Sequence, residues 1–354
     1  MSLLEQTLAA IVPLDYEARR AATARLDALT KPRGSLGDLE DFVQRYAAIR
    51  HDPAARFGSG ALIVFVSDHG IADAAVSAYP KSVTVEMLRN IGAGGAAISV
   101  LAGKFGYRLT VIDVGVEIDT SSPPLPGVRY RRVGSGTRNF LEGPAMSLEC
   151  ARRALEIGIE ATYDAAADGA TLLGIGEMGI ANSTSAAAIL AALTGIEPRR
   201  LAGRGTGLDE AGMERKIDAI EAALRLHCDC FHDGVQTLAA IGGFEIAAMA
   251  GACIAAAAIR LPMVIDGFIA TAAAASAQKI RPGLCDYMFF GHRSAEGGHA
   301  LVLESLGVRP ILDLQMRLGE GTGAALAMKT IESGLALFHQ MATFASAGVS
   351  GKLE

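Results

Sequence analysis

One glutamate held between glycines is the residue in this sequence whose type and setting best suit acid–base chemistry. The segment 317–323 reads Arg-Leu-Gly-Glu-Gly-Thr-Gly, and Glu320 precedes a long helical pattern that extends to about Phe344. Glycines permit a left-handed backbone and close approach, and a helix start presents free N–H groups and a partial positive charge. Glu320 is therefore a candidate base that faces a ligand. The alternative is an acidic residue that merely complements a helix N-terminus, which is common.

A first glycine-rich segment, 174–179, has the spacing G-x-G-x-x-G between a predicted strand and a predicted helix. This spacing is typical of a dinucleotide-binding turn, which carries an acidic residue about twenty positions later. Here that residue would be Glu197, which lies in a proline-containing turn, and the motif itself lies in mid-chain. We therefore favour a mononucleotide or phosphate role over dinucleotide binding, with a plain tight turn as the remaining alternative.

A second glycine-rich segment, 203–207, reads Gly-Arg-Gly-Thr-Gly and leads into a predicted helix. Successive backbone N–H groups in such a loop can form an anion-binding nest, and Arg204 and Lys216 would add positive charge. The alternative is a flexible linker in which Asp209 is the N-cap of the next helix. Two glycine loops near predicted strand ends together favour a ligand that contains phosphate.

Two further segments contain histidines. Residues 227–232 read His-Cys-Asp-Cys-Phe-His, but this spacing lacks the paired ligands of structural zinc sites, so we favour a helix end followed by a loop. Residues 289–299 lie between a predicted strand and a helix and contain Ser294, His292 and His299. The two histidines are either acid–base groups or polar loop residues, and we favour the second interpretation. Neither a nucleophile elbow nor a Walker loop occurs.

The elements that must position these residues alternate between strands and helices. The continuous apolar run 61–67 predicts a strand buried on both faces, which ends at Asp68-His69-Gly70. Further strands are predicted at 109–114, 170–175, 263–265 and 287–290, with helical patterns between them. Such an alternation predicts right-handed βαβ units and a parallel sheet, in which ligand-binding groups collect outside the carboxyl ends of the strands.

The absence of predicted strands near the N-terminus indicates how the chain is divided into domains. Residues 1–50 show only helical patterns, and the final predicted helix, 322–344, could return to pack on them. We therefore predict a small helical domain built from residues 1–50 and 325–354, and a large α/β catalytic domain over residues 51–324. The region 119–139 is rich in Gly, Pro and Ser, and is predicted to be loop with one short strand.

Composition narrows the class of protein. Of 354 residues, 51% are hydrophobic and 20% are charged, as in a globular protein. The net charge of −6 without a long basic run argues against nucleic acid as a partner. The five cysteines and an N-terminus without a basic n-region favour reduced thiols and a cytoplasmic location. The longest apolar run, 246–259, is shorter than the roughly 18 residues that span a bilayer, so we expect a buried helix and no membrane partner.

Several motifs, read together and in order, carry a resemblance to a known family. From about residue 30 to 344 the chain resembles the nicotinate-nucleotide:dimethylbenzimidazole phosphoribosyltransferases of cobalamin biosynthesis. The motifs are Lys31-Pro-Arg-Gly-Ser-Leu36, Asp68-His-Gly70, Pro80-Lys-Ser-Val-Thr84, Gly174-Ile-Gly-Glu-Met-Gly179, Gly203-Arg-Gly-Thr-Gly-Leu-Asp209, Gly242-Gly-Phe-Glu-Ile-Ala247, His292-Arg-Ser-Ala-Glu-Gly-Gly-His299 and Leu318-Gly-Glu-Gly-Thr-Gly323.

The resemblance implies a Rossmann-like parallel sheet flanked by helices, a small helical domain from both termini, a homodimer, and no metal or other cofactor. It implies small-molecule substrates: phosphoribosyl would pass from nicotinate mononucleotide to 5,6-dimethylbenzimidazole with inversion. The products would be α-ribazole 5′-phosphate and nicotinate. Other bases, such as adenine, other benzimidazoles or phenols, are alternatives, because pocket shape discriminates weakly between close apolar analogues.

The resemblance also assigns roles to residues. It makes Glu320 the catalytic base and places Gly176 and Glu177 at the nucleotide. The phosphate would be held by Gly203, Arg204, Gly205, Thr206, Gly207, Lys216 and Ser294. The base pocket would be lined by Pro80, Ser82, Asn90, Met178 and Leu318. The competing readings are a nicotinamide-dinucleotide oxidoreductase, which rests on segment 174–179, and a nucleotide-binding protein without catalysis. The segment 227–236 matches no motif of the family.

Overall fold

A computed structural model describes residues 1–118 and 123–350 of the chain. Within these residues, seven strands form one sheet in which every neighbouring pair is parallel. The strands are β1 Gly60–Ser67, β2 Arg108–Gly115, β3 Val128–Tyr130, β4 Leu172–Met178, β5 Met263–Ile265, β6 Met288–His292 and β7 Pro310–Leu312. Their order across the sheet is β3-β2-β1-β4-β5-β6-β7. The predicted Rossmann-like parallel sheet is confirmed.

The helices of the described residues flank this sheet on both sides. They are α1 Leu3–Ala9, α2 Tyr16–Ala28, α3 Asp38–Arg50, α4 Val83–Gly92, α5 Ala97–Phe105, α6 Leu148–Ala167, α7 Asn182–Thr194, α8 Pro198–Leu201, α9 Glu210–Leu226, α10 Gly234–Ile241, α11 Phe244–Ala258, α12 Phe268–Ile280, α13 His299–Ser305, α14 Thr322–Gln340 and α15 Phe344–Ala347. Helices α11 and α12 pack on one face of the sheet, and α4, α5 and α14 pack on the other.

The centre of the sheet fixes where a ligand can bind. Strand β1 is buried along its whole length and lies between β2 and β4. The chain winds outward from β1 through β2 to β3, and then crosses back to β4 and continues to β7. This reversal between β1 and β4 opens a crevice outside the carboxyl ends of the strands, which is the usual ligand site of such sheets.

The many small residues of the chain allow helices to pack very closely. A Cβ atom added at Gly158 of α6 would overlap the backbone of Ala248, and one added at Gly251 of α11 would overlap the backbone of Leu155. The backbones of α6 and α11 are therefore in direct contact, which only glycine permits at these positions. The apolar run 246–259 lies almost wholly in α11 and is buried there, as expected. No helix in the described part of the chain has both the length and the apolar character needed to cross a membrane.

The terminal helices associate as the sequence predicts. Leu29 forms an isolated bridge with Thr343, Arg25 Nε donates to the carbonyl oxygen of Phe338 at 3.0 Å, and α3 packs on α14. Helix α14 also packs directly on strands β4 to β7, so the buried core runs from the terminal helices into the sheet without interruption. The division into two domains stays a prediction, and residues 351–354 of the smaller one lie outside the described residues.

A few elements differ from the expectations. Helix α10 was not predicted; it begins after Asp233, whose carboxylate accepts from Gln236 N at 2.8 Å. Strand β7 was not predicted, because a three-residue edge strand that begins with proline gives almost no pattern. The short strand expected in region 119–139 is β3, while residues 119–122 of that region lie outside the described residues.

Candidate active site

A cavity of about 660 Å³ lies at the carboxyl ends of the strands. Its walls come from the loops that follow β1, β4, β5, β6 and β7, together with residues of the loop between α8 and α9. One part of the wall is apolar and contains Val76, Val83, Met87, Met178, Phe268 and Leu318. Another part is acidic and contains Glu177, Asp266, Glu296 and Glu320. The cavity therefore offers both a surface for a flat apolar ring and a set of carboxylates.

The turn that carries Glu320 is strained and tightly supported. Gly319, Glu320 and Gly321 have φ values of 85°, 63° and 90°, and such a left-handed conformation is uncommon for a non-glycine residue. A Cβ atom at Gly176 in β4 would overlap the backbone of Glu320 and Gly321. The glycine at 176 thus allows the turn to lie directly on β4. Strain of this kind persists where surrounding structure enforces it, and it clusters at functional sites.

The carboxylate of Glu320 points at a helix N-terminus. Its Oε2 accepts a long hydrogen bond of 3.4 Å from Ile98 N in the first turn of α5. Burial raises the pKa of Glu320 above its ordinary value of 4.5, the Ile98 N–H opposes that shift, and the nearby Asp266 adds to it. A carboxylate that is oriented in this way, with a raised pKa, is a suitable proton acceptor near neutral pH.

Asp266, at the end of β5, holds the Glu320 turn in place. Its Oδ2 accepts from Gly321 N at 3.2 Å, and its Oδ1 accepts from Ala324 N at 2.8 Å. The buried carboxylate therefore satisfies the free N–H groups at the start of α14, as an N-terminal cap does. The sequence pattern alone assigns no role to Asp266. The one sequence feature that could have indicated its role is its position, since it is an acidic residue directly after a short buried strand.

Glu177, in β4, lines the same cavity and carries a proton at neutral pH. Burial raises its pKa from 4.5 to about 8, against a hydrogen bond donated by Asn182 Nδ2, and Glu245, Asp266 and Glu320 raise it further. A protonated carboxyl group can donate a hydrogen bond to a ligand without adding negative charge beside a phosphate.

The glycine loop 203–207 lies elsewhere in the fold than expected. It joins α8 to α9 and so does not follow a strand, and Asp209 is the N-cap of α9, with its carboxylate accepting from Gly212 N at 2.8 Å. Gly205 and Thr206 line the cavity, whereas Gly203, Arg204 and Gly207 do not. Arg204 turns away and pairs with Glu210. Of the five residues predicted to form an anion-binding nest, Gly205 and Thr206 therefore lie at the cavity wall.

The N–H group of Gly205 in this loop donates to a side chain of the protein itself. Gly205 N donates to both carboxylate oxygens of Glu296, at 2.9 and 3.1 Å. Lys216 Nζ lies behind the wall, donates to Ser183 Oγ at 3.0 Å and to the carbonyl oxygen of Gly203 at 2.9 Å, and sits 3.7 Å from Glu296 Oε1. Glu296 could not be predicted as this partner, because nothing local in segment 289–299 shows where its carboxylate points.

Two histidines with different surroundings flank the loop that contains Ser294, one at the end of β6 and one at the start of α13. His299 is buried, its Nδ1 accepts from Ser294 N at 2.9 Å and its Nε2 lies 2.9 Å from Thr271 Oγ1. Burial lowers the pKa of His299 to about 3, so it is neutral and orders the loop. His292 instead lines the cavity, with Nε2 3.9 Å from Asp266 Oδ1. Ser294 also lines the cavity.

The residues assigned to the base pocket divide into two groups. Met178 and Leu318 line the cavity, and Val83 and Met87 join them from one face of α4. Pro80, Ser82 and Asn90 are exposed and lie outside the lining. Asn90 Nδ2 contacts Met87 Sδ at 3.9 Å, one turn along α4. The roles of these three residues in binding stay predictions.

The first two glycines of the G-x-G-x-x-G motif are explained by close packing against β4. Gly174 and Gly176 lie inside β4, and a Cβ atom at Gly174 would come within 2.7 Å of both Leu62 Cδ2 and Met328 Sδ. The glycines therefore admit α14 and the Glu320 turn close to the sheet. The interpretation of this segment as a dinucleotide-binding turn is wrong, and a contact between Gly176 and a nucleotide stays a prediction.

The segment 227–232 forms the end of α9 and a short 3₁₀ turn at Cys228–Cys230. His227 is buried with its Nε2 2.8 Å from the carbonyl oxygen of Phe140. Across residues 1–118 and 123–350, no group of three or more His, Cys, Asp or Glu side chains is arranged to hold a metal ion.

The comparisons with known proteins agree with this architecture. A family profile described as "Phosphoribosyltransferase" matches residues 11–349, and the protein is accordingly a phosphoribosyltransferase. A relative from Chloroflexus aggregans, named nicotinate-nucleotide–dimethylbenzimidazole phosphoribosyltransferase, is 49% identical over 354 residues and covers the whole of both chains. One of the same name from Geobacter sulfurreducens is 46% identical and covers 99% of each chain.

Among solved structures, one titled as CobT from Thermus thermophilus superposes with a TM-score of 0.90 at 46% identity, covering 94% of this chain and 99% of that one. This chain belongs to the nicotinate-nucleotide–dimethylbenzimidazole phosphoribosyltransferase family.

Proposed function

We propose that the protein transfers the 5-phosphoribosyl group of nicotinate mononucleotide to 5,6-dimethylbenzimidazole, with inversion at the anomeric carbon. The products are α-ribazole 5′-phosphate and nicotinate, and the first supplies the lower ligand of cobalamin. The observation that carries this proposal is the Glu320 carboxylate, which lies in a cavity at the carboxyl ends of the strands on a strained turn. The names of the relatives supply the substrates.

Glu320 serves as the general base of this reaction. One ring nitrogen of the benzimidazole attacks C1′ of the ribose, and the bond from C1′ to the nicotinate nitrogen breaks. The electron pair of that bond neutralises the pyridinium, so the leaving group needs no acid. The incoming base must lose its N–H proton to become a neutral product, and Glu320 accepts it. Such a base contributes about 10²–10⁴-fold in rate, and the close positioning of the two reactants contributes further.

The two ends of the cavity suit the two ends of the substrates. Ser294, Gly205 and Thr206 lie together with the buried Lys216 behind them, and this polar end would take the 5′-phosphate. Met178, Leu318, Val83 and Met87 form the apolar end, which would take the benzimidazole ring. Glu177, protonated at neutral pH, would donate to the nucleotide between them.

Other lower-ligand bases are alternatives for the same apolar end. A wall of methionine and branched aliphatic side chains distinguishes flat rings by size and shape, which is worth only about 1–3 kcal/mol per methylene-sized difference. A panel of benzimidazoles, adenine and phenols ranks them directly. The family resemblance also supports a homodimer and a cytoplasmic location, and sedimentation of the purified protein tests the first.

The decisive experiment is product analysis. Purified protein is incubated with nicotinate mononucleotide and dimethylbenzimidazole, and the mixture is resolved by chromatography and mass spectrometry. Release of nicotinate with equal formation of α-ribazole phosphate is the expected result. A folded protein that binds the nucleotide yet forms no product with any base would favour a binding role instead.

A further inference from the structure

We propose that Glu296 is an internal anion that occupies the proposed phosphate site and that the substrate phosphate must displace. This inference rests on the proposed position of the phosphate at loop 203–207. In addition, the Glu296 carboxylate would compete with the phosphate and weaken its binding. A substitution at Glu296 alone would then change the affinity of the site for phosphate.

The contacts of Glu296 are those that a phosphate would make. Both carboxylate oxygens accept from Gly205 N, which is the backbone donor that the loop presents at the cavity wall. Oε1 also lies 3.7 Å from Lys216 Nζ. A carboxylate that takes a loop N–H and a buried ammonium at once is an anion in an anion site.

Lys216 needs an anion because it is completely buried. Its side chain is 1% exposed, and burial lowers its pKa, while Glu296 raises it. Two of the three ammonium donors are met by neutral oxygens, on Ser183 and Gly203. Glu296 supplies the negative charge, since a buried ammonium without one is unfavourable.

The position of Glu296 also blocks the route to Lys216. Ser183, Gly205, Ser294 and Glu296 line the cavity, but Lys216 does not. The ammonium lies directly behind Ser183 and Glu296. A phosphate in the cavity therefore meets the Glu296 carboxylate first, and the two negative groups compete for the Gly205 N–H and for Lys216.

The Glu296 backbone is held independently of its carboxylate, so the side chain can leave without unfolding the loop. Glu296 N donates to Ser294 Oγ at 3.1 Å, and His299 N donates to the carbonyl oxygen of Glu296 at 3.3 Å. Displacement then requires only a change in the rotamer of the Glu296 side chain.

The test is calorimetric binding of inorganic phosphate and of nicotinate mononucleotide to the full-length protein. The variants are Glu296→Gln, which removes the competing charge, and Glu296→Asp, which keeps a charge for Lys216 but shortens the reach to Gly205. We expect both variants to bind both ligands about ten- to a hundredfold more tightly than the wild type, because a charge-assisted hydrogen bond no longer has to be broken. Glu304→Gln, an exposed position on α13, is the matched control and should bind as the wild type does.

The outcomes separate the two proposals. Unchanged or weaker binding in both Glu296 variants, with a wild type that still binds nucleotide and forms product, shows that Glu296 only braces the loop and overturns this inference alone. A wild type that neither binds nicotinate mononucleotide nor forms product overturns the proposed function as well. If Glu296→Gln fails to fold, Glu296→Asp decides, since it retains the negative charge beside Lys216.

Discussion

Two polar networks lie near each other at the carboxyl ends of the central strands, and they are built in opposite ways. The first, which we call the sealed network, consists of His69, Ser185 and Glu245, all completely buried. His69 Nδ1 lies 3.0 Å from Ser185 Oγ, and His69 Nε2 lies 2.6 Å from Glu245 Oε1. The second, the cavity network, consists of Glu177, Asp266 and Glu320.

The sealed network has the composition of a Ser-His-acid triad, but none of its members lines the cavity. Because its hydroxyl cannot meet a substrate, it ties β1, α7 and α11 together instead of catalysing hydrolysis. In the cavity network, Asp266 raises the pKa of Glu177 and of Glu320, and Glu320 raises the pKa of Glu177 further. Backbone and amide groups donate hydrogen bonds to these carboxylates. Similar residues therefore stabilise the fold where they pair with one another away from the cavity, and form a candidate site where several acids lie together at the cavity wall.

The largest expected effect on stability comes from breaking the sealed network. His69→Ala removes the partner of a buried carboxylate, and we expect the free energy of unfolding to fall by about 3–5 kcal/mol, measured by urea denaturation. The specific activity of the folded protein should be unchanged. Glu214→Gln, which removes an exposed ion pair with Arg199, is the control and should leave stability nearly unchanged. A selective loss of turnover in His69→Ala would move the sealed network into the mechanism.

The cavity network should make the free energy of unfolding depend on pH through Glu177. Glu177 has a pKa of about 8 in the folded protein and 4.5 as the reference value, so the folded state binds the extra proton between these values. Its stabilising contribution is present below pH 4.5 and is lost as the pH rises through 8. In Glu177→Gln this decline in the free energy of unfolding should be smaller by on the order of 4–5 kcal/mol, since each unit of pKa is worth about 1.4 kcal/mol. If the free energy of unfolding changed with pH in the same way in the wild type and in Glu177→Gln, the raised pKa of Glu177 would be refuted.

The contact between Gly176 and the Glu320 turn can be tested by comparing two glycine-to-alanine substitutions. Gly176→Ala forces a methyl group into the backbone of Glu320 and Gly321, and we expect turnover to fall by about a hundredfold, since small displacements of a catalytic group have effects of this size. Gly103→Ala, in α5 with open space around the new methyl group, should keep full activity and gain about 0.5–1 kcal/mol of stability. Equal activities in the two variants would show that the turn tolerates displacement.

The smallest effect is expected at the apolar wall. Leu318 is 57% exposed and lines the cavity, so Leu318→Ala should raise the KM for dimethylbenzimidazole by about tenfold or less, with kcat nearly unchanged. Steady-state kinetics with a fixed nucleotide concentration provides the measurement. A fall in kcat without a change in KM would place Leu318 in contact with the reacting atoms.

The sequence predicts the scaffold well because its signals are local. The apolar run of β1 and the periodic patterns of the helices each lie within a single element, and the short run 263–265 coincides with β5. Glu320 was singled out because glycines and a helix start are visible side by side. Ser294 was noted in the same way, in a loop between a predicted strand and a predicted helix. Met178 and Leu318, which also line the cavity, came instead from the family resemblance.

The remaining features depend on contacts between distant segments. Gly176 is a glycine because the Glu320 turn packs on it, and no local pattern distinguishes that from a phosphate-binding turn. The Gly205–Glu296 hydrogen bonds join residues 91 positions apart, so a loop that looked free to bind an anion already holds one. Asn90 was assigned by motif matching, although α4 turns it to solvent.

The measurement that tests the central claim most directly is single-turnover transfer by Glu320→Gln. The variant keeps the shape of the side chain and loses only the ability to accept a proton. We predict that the rate of α-ribazole phosphate formation falls by about 10²–10⁴-fold, while the Kd for nicotinate mononucleotide is that of the wild type. A rate close to that of the wild type would contradict the assignment of Glu320 as the base.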